Sequence, residues 1–202
     1  MCKSNIMGNS GTEKNNTIKR FAAKGVFPYQ MAFTLLIPFR NIFLSPGQLI
    51  NRLELQDDLT VMELGPGPGY FSIKVAKKLT CGKLILADIQ QEMLDYARKR
   101  VNRKKIKNVE YYLCDGKTFR FEDNFFDRIY MITVIGEVEN KDAYMKEMHR
   151  MLKKGGILSV SELAGDPDKM SIDEIKHLTG KHHFSFYKLY GKESNYTINF
   201  KK

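Results

Sequence analysis

Short apolar runs alternate along this chain with longer amphipathic stretches. Five apolar runs predict buried β-strands, at residues 59–64, 83–88, 108–114, 125–132 and 157–161. Most stretches between them carry apolar residues at three- and four-residue spacing, which predicts helices. Two alternating segments, 184–190 and 196–200, then predict a terminal antiparallel hairpin. This order predicts an α/β fold, a doubly wound, mostly parallel seven-stranded sheet that ends in an antiparallel hairpin.

Local signals place several helix ends. Ser45 to Gln48 and Ser171 to Glu174 both have the capping-box pattern, in which a serine is followed three residues later by Gln or Glu. A further helix is predicted from Lys141 to Leu152, closed by Lys153, Lys154 and Gly155. The first predicted helix therefore begins just before the first strand.

The pattern divides the chain into two parts. Residues 45–202 hold the alternating strands and helices, and residues 1–44 hold a polar tail followed by an apolar segment. Gly25 to Phe39 carries no charge, contains five aromatic residues or methionines and is too short to span a bilayer. Two interpretations stay open, helices packed on the core or a lid over a substrate pocket, with a membrane-surface contact as a weaker third.

Composition and charge describe an ordinary globular protein. Of 202 residues, 43% are hydrophobic and 28% are charged, which fits one α/β domain. The net charge of +10 is spread along the chain, and the dense run Arg98 to Lys107 is interpreted as a solvated helix end rather than a nucleic-acid surface. Cys2, Cys81 and Cys114 have no metal-ligand spacing, and with the polar N-terminus they favour the reducing cytoplasm.

The most informative stretch is the glycine loop after the first strand. Glu63 is followed at alternate positions by Gly65, Gly67 and Gly69, and a helix pattern begins at once. Backbone N–H groups at such a turn and the positive end of the helix face a ligand. Two prolines between the glycines remove donors that a phosphate cradle needs, and Glu63 would repel a phosphate. The loop is therefore suited to a nucleoside ligand that carries an ammonium group.

A second carboxylate falls at the end of the second strand. Asp88 lies nineteen residues past Gly69, which is the length of one crossover helix with its turns. In doubly wound sheets this position holds a ribose diol. The alternative is a helix cap. If Asp88 binds the ribose, Ile89 is expected to lie against the base of the nucleoside.

These motifs resemble the class I S-adenosylmethionine-dependent methyltransferases. The sequence is most similar to the small-molecule type, in the broad group with the ubiquinone/menaquinone C-methyltransferases. The resemblance covers residues 45–202 and includes Asp115-Gly116 and the run Leu152 to Gly156. It implies a Rossmann-like fold and S-adenosylmethionine as cofactor, with Asp115 accepting from the adenine amino group. A simple Asp-Gly turn is the alternative for Asp115 and Gly116. We also expect contacts from Ile132 and Thr133, where the fourth strand ends.

One departure separates the chain from the quinone-precursor enzymes. Those commonly carry a His pair after the fourth strand, where this chain has Gly136 and Glu137. The candidate general bases are Glu137, Glu162 and Tyr29. None of them has a His or a second carboxylate at a spacing that indicates catalysis, so no catalytic residue is assigned. The four histidines are interpreted as surface or core residues, and no metal site is predicted.

The leading hypothesis is a methyltransferase acting on a small molecule, and the apolar N-terminal segment favours an apolar acceptor. The signatures of amino-methylating and cytosine C5 nucleic-acid enzymes are missing from the sequence. Two alternatives stay open, a methyltransferase for RNA or a protein partner and a non-catalytic module that binds the cofactor. The sequence names neither the acceptor, the methylated atom nor the oligomeric state.

Overall fold

The computed structural model describes residues 43–202. Within this range seven strands form one sheet. The strands are β1 (Thr60–Leu64), β2 (Lys83–Asp88), β3 (Val109–Leu113), β4 (Phe126–Ile132), β5 (Leu152–Glu162), β6 (Ser185–Lys192) and β7 (Asn195–Lys201). The α-helices are α1 (Pro46–Arg52), α2 (Ser72–Lys78), α3 (Gln91–Arg103), α4 (Lys141–Met151) and α5 (Ile172–Lys181). A short 3₁₀ helix, Ile135–Glu137, follows β4.

The strand order across the sheet is β3-β2-β1-β4-β5-β7-β6. The first five strands in this order are parallel, and β7 runs antiparallel to both β5 and β6. The chain therefore reverses its winding at β1, where β2 lies on one side and β4 on the other. A doubly wound sheet binds ligands at this switch point, beyond the carboxyl ends of the strands.

Two hydrophobic clusters bury the central strands of the sheet on both faces. One cluster packs α1, α2 and α3 against the first face through residues such as Leu49, Val75 and Leu94. The other packs α4 and α5 against the second face through residues such as Met148 and Ile175. Burial on both faces explains why the central strands read as continuous apolar runs in the sequence.

The predicted fold class is confirmed, and most element bounds agree with it. β2 has the predicted bounds, both capping boxes form, and the terminal hairpin is present. One boundary prediction was wrong. α4 ends at Met151, and β5 starts at once with Leu152, which pairs with Phe126. The ladder then shifts register and resumes at Ile157, while Gly155 takes a φ of 74° that closes the intervening bulge.

The predicted lid lies almost wholly outside the described residues. Its last two residues, Phe43 and Leu44, are described, and both belong to the cluster that packs α1 on the sheet. Leu44 is fully buried there. Among residues 43–202, no helix is long and apolar enough to cross a membrane.

Candidate functional site

A cavity of about 910 Å³ opens at the carboxyl ends of β1, β2 and β4. The ten residues predicted to bind the cofactor come together here, and all except Gly69 line the cavity. Those that line it are Glu63, Gly65, Gly67, Asp88, Ile89, Asp115, Gly116, Ile132 and Thr133. Sequence spacing and strand order thus bring separate segments to one place.

The glycine loop has a backbone that other residues adopt only with strain. Gly65, Gly67 and Gly69 have φ angles of 64°, 52° and 75°. A Cβ added to Gly65 would lie 2.5 Å from Cγ2 of Val134, which leaves no room for a side chain. The Gly65 N–H donates to the carbonyl of Ala87 at 2.8 Å and ties the loop to the end of β2.

Gly69, the third glycine, allows α3 to pack closely on the loop and does not line the cavity. A Cβ on Gly69 would lie 3.2 Å from the Cβ of Ala97 in α3. Its N–H donates to the carbonyl of Pro66, and Arg100 of α3 donates to the carbonyl of Pro68 at 2.7 Å. The loop is therefore fixed from behind by α3, which pre-organises the side that faces the cavity.

Glu63 brings a buried carboxyl to the base of the loop. Its side chain is 3% exposed, and Ser72 Oγ donates to Glu63 Oε2 at 2.5 Å. Burial raises the pKa of Glu63 to about 7, and the nearby carboxylate of Asp88 adds to this rise. A cationic ligand group beside Glu63 would oppose both effects and favour its charged form.

Asp88 ends β2 on the same cavity wall. Its Oδ1 accepts from the Gln90 N–H at 2.9 Å, while Gln90 itself is the N-cap position of α3 and makes no side-chain cap. Burial raises the pKa of Asp88 to about 6, and backbone N–H groups of Gln90, Ile89 and Gly67 oppose the rise. Asp88 therefore bonds within the turn that precedes α3 and is not the N-cap of that helix. Its contact with the ribose stays a prediction.

The base end of the predicted nucleoside site is more open. Ile89 is 45% exposed although it lines the cavity, so its apolar side chain is available to a planar ligand group. Asp115 accepts from the N–H groups of Lys117 and Thr118, both at 2.8 Å, and from the Thr118 hydroxyl. These bonds hold the pKa of Asp115 below its usual value. Asp115 thus orders its own turn, and contact with adenine stays a prediction.

The end of β4 forms the opposite wall. Thr133 has a φ of 53°, a left-handed conformation that is costly for a β-branched residue. Its N–H donates to the carbonyl of Ser161 at 2.8 Å, which fixes the end of β4 beside the end of β5. This strained turn could not be predicted from the sequence, because threonine does not favour a left-handed backbone.

Sequence reasoning missed several lining residues, from the turn after β3, the loop before α4 and α4 itself. They are Cys114, Val138, Glu139, Asn140, Ala143 and Tyr144. Burial raises the pKa of the Cys114 thiol to about 11, which disfavours the reactive thiolate at neutral pH. The first turn of α4 could have been found from the predicted topology, because a helix that follows β4 begins at the carboxyl edge.

The candidate bases fall in different places. Glu137 lines the cavity, whereas Glu162 ends β5 and is fully buried without lining it. Tyr29 lies outside the described residues. The four histidines lie on α4, α5 or the turn after α5, away from the cavity lining. Within residues 43–202, no group of three or more His, Cys, Asp or Glu side chains could hold a metal ion.

The donors and acceptors of the cavity fit the cofactor that the resemblance implies. Pro66 and Pro68 give no N–H, so the loop is a poor pyrophosphate cradle. The buried carboxyls of Glu63 and Asp88 are instead acceptors for an amino group and a diol. S-adenosylmethionine carries both groups, and its ring would meet the exposed Ile89.

Comparison with known proteins agrees with this geometry. A family model described as a methyltransferase domain matches residues 55–191. The ubiquinone/menaquinone biosynthesis C-methyltransferase UbiE of Escherichia coli is 36% identical over 107 residues. That match covers 52% of this chain and 43% of UbiE, so the chain matches less than half the length of this curated relative.

Solved structures share the fold at lower identity. A SAM-dependent methyltransferase from Aquifex aeolicus has a TM-score of 0.81 and 22% identity, covering 87% of this chain and 98% of that one. The [4+2]-cyclase SpnF has a TM-score of 0.68 and 14% identity, covering 78% and 80%. Since a protein named as a cyclase shares this fold, the fold alone does not fix the reaction.

Proposed function

The chain belongs to the class I S-adenosylmethionine-dependent methyltransferases, and we propose that it transfers the methyl group of this cofactor to a small-molecule acceptor. The observation that carries the proposal is the single cavity of about 910 Å³. It joins the predicted cofactor residues to a further wall from the 3₁₀ helix and α4. Its volume lies in the upper part of the range of about 300–1,000 Å³ for small-molecule sites.

The chain's part in the reaction is to bind and align. Glu63 and Asp88 would hold the amino group and ribose of the cofactor, and Ile89 would cover one side of its ring. When bound, the cofactor supplies an activated methyl group. The task of the protein is then to hold acceptor and methyl in line and to exclude water.

The wall beyond the cofactor residues supports a small acceptor. Val138, Ala143 and Tyr144 give it an apolar surface, and Glu137 and Asn140 add polar groups. The name of UbiE, a quinone-biosynthesis C-methyltransferase, also supports a small-molecule substrate. Gly136 is fixed in this chain by packing, because a Cβ there would lie 1.9 Å from the carbonyl oxygen of Asp168. The chain therefore differs locally from enzymes with a histidine at this place.

An RNA acceptor has less support from the geometry. The basic run Arg98 to Lys107 covers the C-terminal half of α3 and the turn that follows. α3 starts after β2 at the carboxyl edge and runs back to the start of β3, so most of this run lies toward the opposite edge from the cavity. The exception is Arg100, which donates to the carbonyl of Pro68 behind the glycine loop. Nucleic acid bound there would not bring a base to the cofactor residues.

Methyl transfer tests the proposal directly. The protein is incubated with methyl-labelled S-adenosylmethionine and either a deproteinised metabolite pool, total RNA or a protein extract. We expect label in the small-molecule fraction, and about tenfold less or lower when the Asp88→Ala variant replaces the wild type at a limiting cofactor concentration. Label confined to RNA or protein would refute the small-molecule acceptor, and label in no fraction would favour a non-catalytic module.

A further inference from the structure

A second concave surface lies where α4 and α5 end, and it shares no lining residue with the cavity at the carboxyl edge. Its volume is about 500 Å³. α4 ends where β5 begins, and the loop before β4 forms one side, so this surface lies toward the amino edge of the sheet. We call it the basic pocket, and it is lined by Asp123, Lys146, His149, Arg150, Lys181, His182, His183 and Lys202.

Positive charge dominates the basic pocket. Asp123 is the single carboxylate that the described residues contribute to its lining, and the rest are lysine, arginine or histidine. That carboxylate is already paired, because Arg150 donates to Asp123 and to Glu147, both at 2.8 Å. His182 likewise pairs with Asp142 at 2.8 Å. One arginine and one histidine therefore take up the carboxylates nearby.

Three lysines of the basic pocket have no carboxylate partner. Lys146 of α4, Lys181 at the end of α5 and Lys202 after β7 form no ion pair within residues 43–202. Lys202 donates to two neutral oxygens, Asn124 Oδ1 at 3.0 Å and the Arg150 carbonyl at 3.2 Å. Three separate elements thus each bring an ammonium group without an ion-pair partner to one pocket.

Two histidines add to the positive character. His183 follows α5 with a φ of 62°, at a left-handed helix-end position where glycine is preferred. Its ring centroid lies 6.1 Å from that of His149 in α4. Burial lowers the pKa of His149, and Lys202 and the two neighbouring histidines lower it further. The basic pocket therefore opposes its own positive charge, and a bound anion would relieve that repulsion.

Helix dipoles explain only part of this arrangement. Basic residues in the last turn of a helix stabilise it, which accounts for Arg150 and Lys181. Lys146 lies more than one turn before the end of α4, and His183 and Lys202 lie outside the helices. The dipoles give no reason for these three residues to converge with the others.

We propose that the basic pocket binds a phosphate monoester of a small molecule, at a site separate from the methyl-transfer cavity. A phosphate monoester carries about −1.5 to −2 charge at neutral pH and has three terminal oxygens, which matches three lysines from three elements. A carboxylate has two oxygens and one charge, so it leaves one lysine without a partner. The volume lies within the range of about 300–1,000 Å³ for small-molecule sites, which leaves room for the organic part of the ester.

Nuclear magnetic resonance of the full chain tests the site with defined anions. Inorganic phosphate, glycerol 3-phosphate and acetate are titrated separately at constant ionic strength. We expect saturable shifts of the His149 and His183 imidazoles, with glycerol 3-phosphate bound at least as tightly as inorganic phosphate and acetate bound at least about tenfold more weakly. The Thr133 amide at the cavity should not shift.

Three results of these titrations would overturn the proposal. The first is the absence of a saturable shift at His149 and His183. The second is acetate binding as tight as that of glycerol 3-phosphate, which would mean that the basic pocket does not recognise phosphate. The third is tighter binding of inorganic phosphate than of glycerol 3-phosphate, which would leave a free-phosphate site and refute the monoester.

Charge-matched variants assign the binding to the basic pocket. The double variant Lys146→Gln/Lys181→Gln replaces two exposed lysines and should weaken glycerol 3-phosphate binding by about tenfold or more. The control Lys77→Gln/Lys78→Gln removes the same charge from exposed positions in the last turn of α2, and should bind as the wild type does. Equal weakening in both double variants would show that net charge alone attracts the anion, and would refute the site.

An RNA oligonucleotide without a terminal phosphate separates a small ligand from a nucleic acid. Each of its phosphodiesters carries one charge, so at physiological ionic strength it should shift the His149 and His183 imidazoles only at higher concentration than glycerol 3-phosphate does. A shift of both imidazoles at lower RNA concentration, lost in Lys146→Gln/Lys181→Gln, would overturn the small-molecule ligand in favour of a nucleic acid.

Discussion

Glu63 and Glu162 are two buried carboxyls near the carboxyl edge of one sheet, and they differ in their partners. Glu63 accepts from Ser72, whereas Glu162 has no hydrogen-bond partner within the described residues. Burial raises both pKa values, to about 7 and about 8. The carboxyl at the cofactor end of the cavity is thus held by a protein donor, whereas the carboxyl at the end of β5 is buried behind the cavity lining without a donor among the described residues.

The largest expected effect comes from a substitution in the glycine loop, at the cofactor end of the cavity. Gly65→Ala places a Cβ against Val134 at a φ of 64°, so it should cost about 2–5 kcal/mol of unfolding free energy and abolish S-adenosylhomocysteine binding. Chemical denaturation and calorimetry measure the two effects.

The control for Gly65 is Gly47→Ala in α1. A Cβ at Gly47 meets nothing within 4 Å, so stability should stay the same or rise by up to about 1 kcal/mol. Normal cofactor binding by Gly65→Ala would show that the close approach to Val134 is unimportant.

The next largest effect concerns Glu162, whose carboxyl has no hydrogen-bond partner among the described residues. Because the pKa of Glu162 is raised from 4.5 to about 8 in the folded protein, its destabilising effect is absent below pH 4.5, grows as pH rises from there toward 8 and is complete above pH 8. Glu162→Gln should therefore stabilise the protein at pH 9 by on the order of 2–4 kcal/mol relative to its effect at pH 5. Denaturation at both pH values measures this, and a pH-independent effect would contradict the buried, unpaired state.

Asp88→Ala should have a smaller effect, on ligand affinity. Loss of the carboxylate at the end of β2 should weaken S-adenosylhomocysteine by on the order of 1.5–3 kcal/mol, as for hydrogen bonds to a charged group. Asp95→Ala, which removes an exposed carboxylate of α3, is the control and should bind normally. Unchanged affinity in a folded Asp88→Ala variant would leave Asp88 as a loop residue only.

The smallest effect tests the partner of Glu63. Ser72→Ala removes a fully buried donor, and should cost about 1–1.5 kcal/mol of unfolding free energy and raise the pKa of Glu63 further. Ser159→Ala is the control, because its buried hydroxyl has no partner among the described residues and its removal should cost little. Equal costs would mean that the Ser72 bond contributes nothing specific.

The contrast between the two carboxyls also marks what the sequence could predict. The glycine spacing depends on the geometry of one turn, and the position of Asp88 depends on the length of one strand–helix–strand unit. Both could therefore be predicted from the sequence. The unpaired state of Glu162 depends on the packing of β7, the 3₁₀ helix and the loop before α5, which no local pattern encodes. The left-handed Thr133 and the direct passage from α4 into β5 were missed for the same reason.

Calorimetry with competing nucleotides tests the central claim, that this cavity binds S-adenosylmethionine through carboxyl acceptors. The account predicts that S-adenosylmethionine and S-adenosylhomocysteine bind to the wild-type protein, with NAD and ATP far weaker, because the proline-interrupted loop lacks a phosphate cradle. NAD binding as tight as S-adenosylhomocysteine, or tighter, would contradict it.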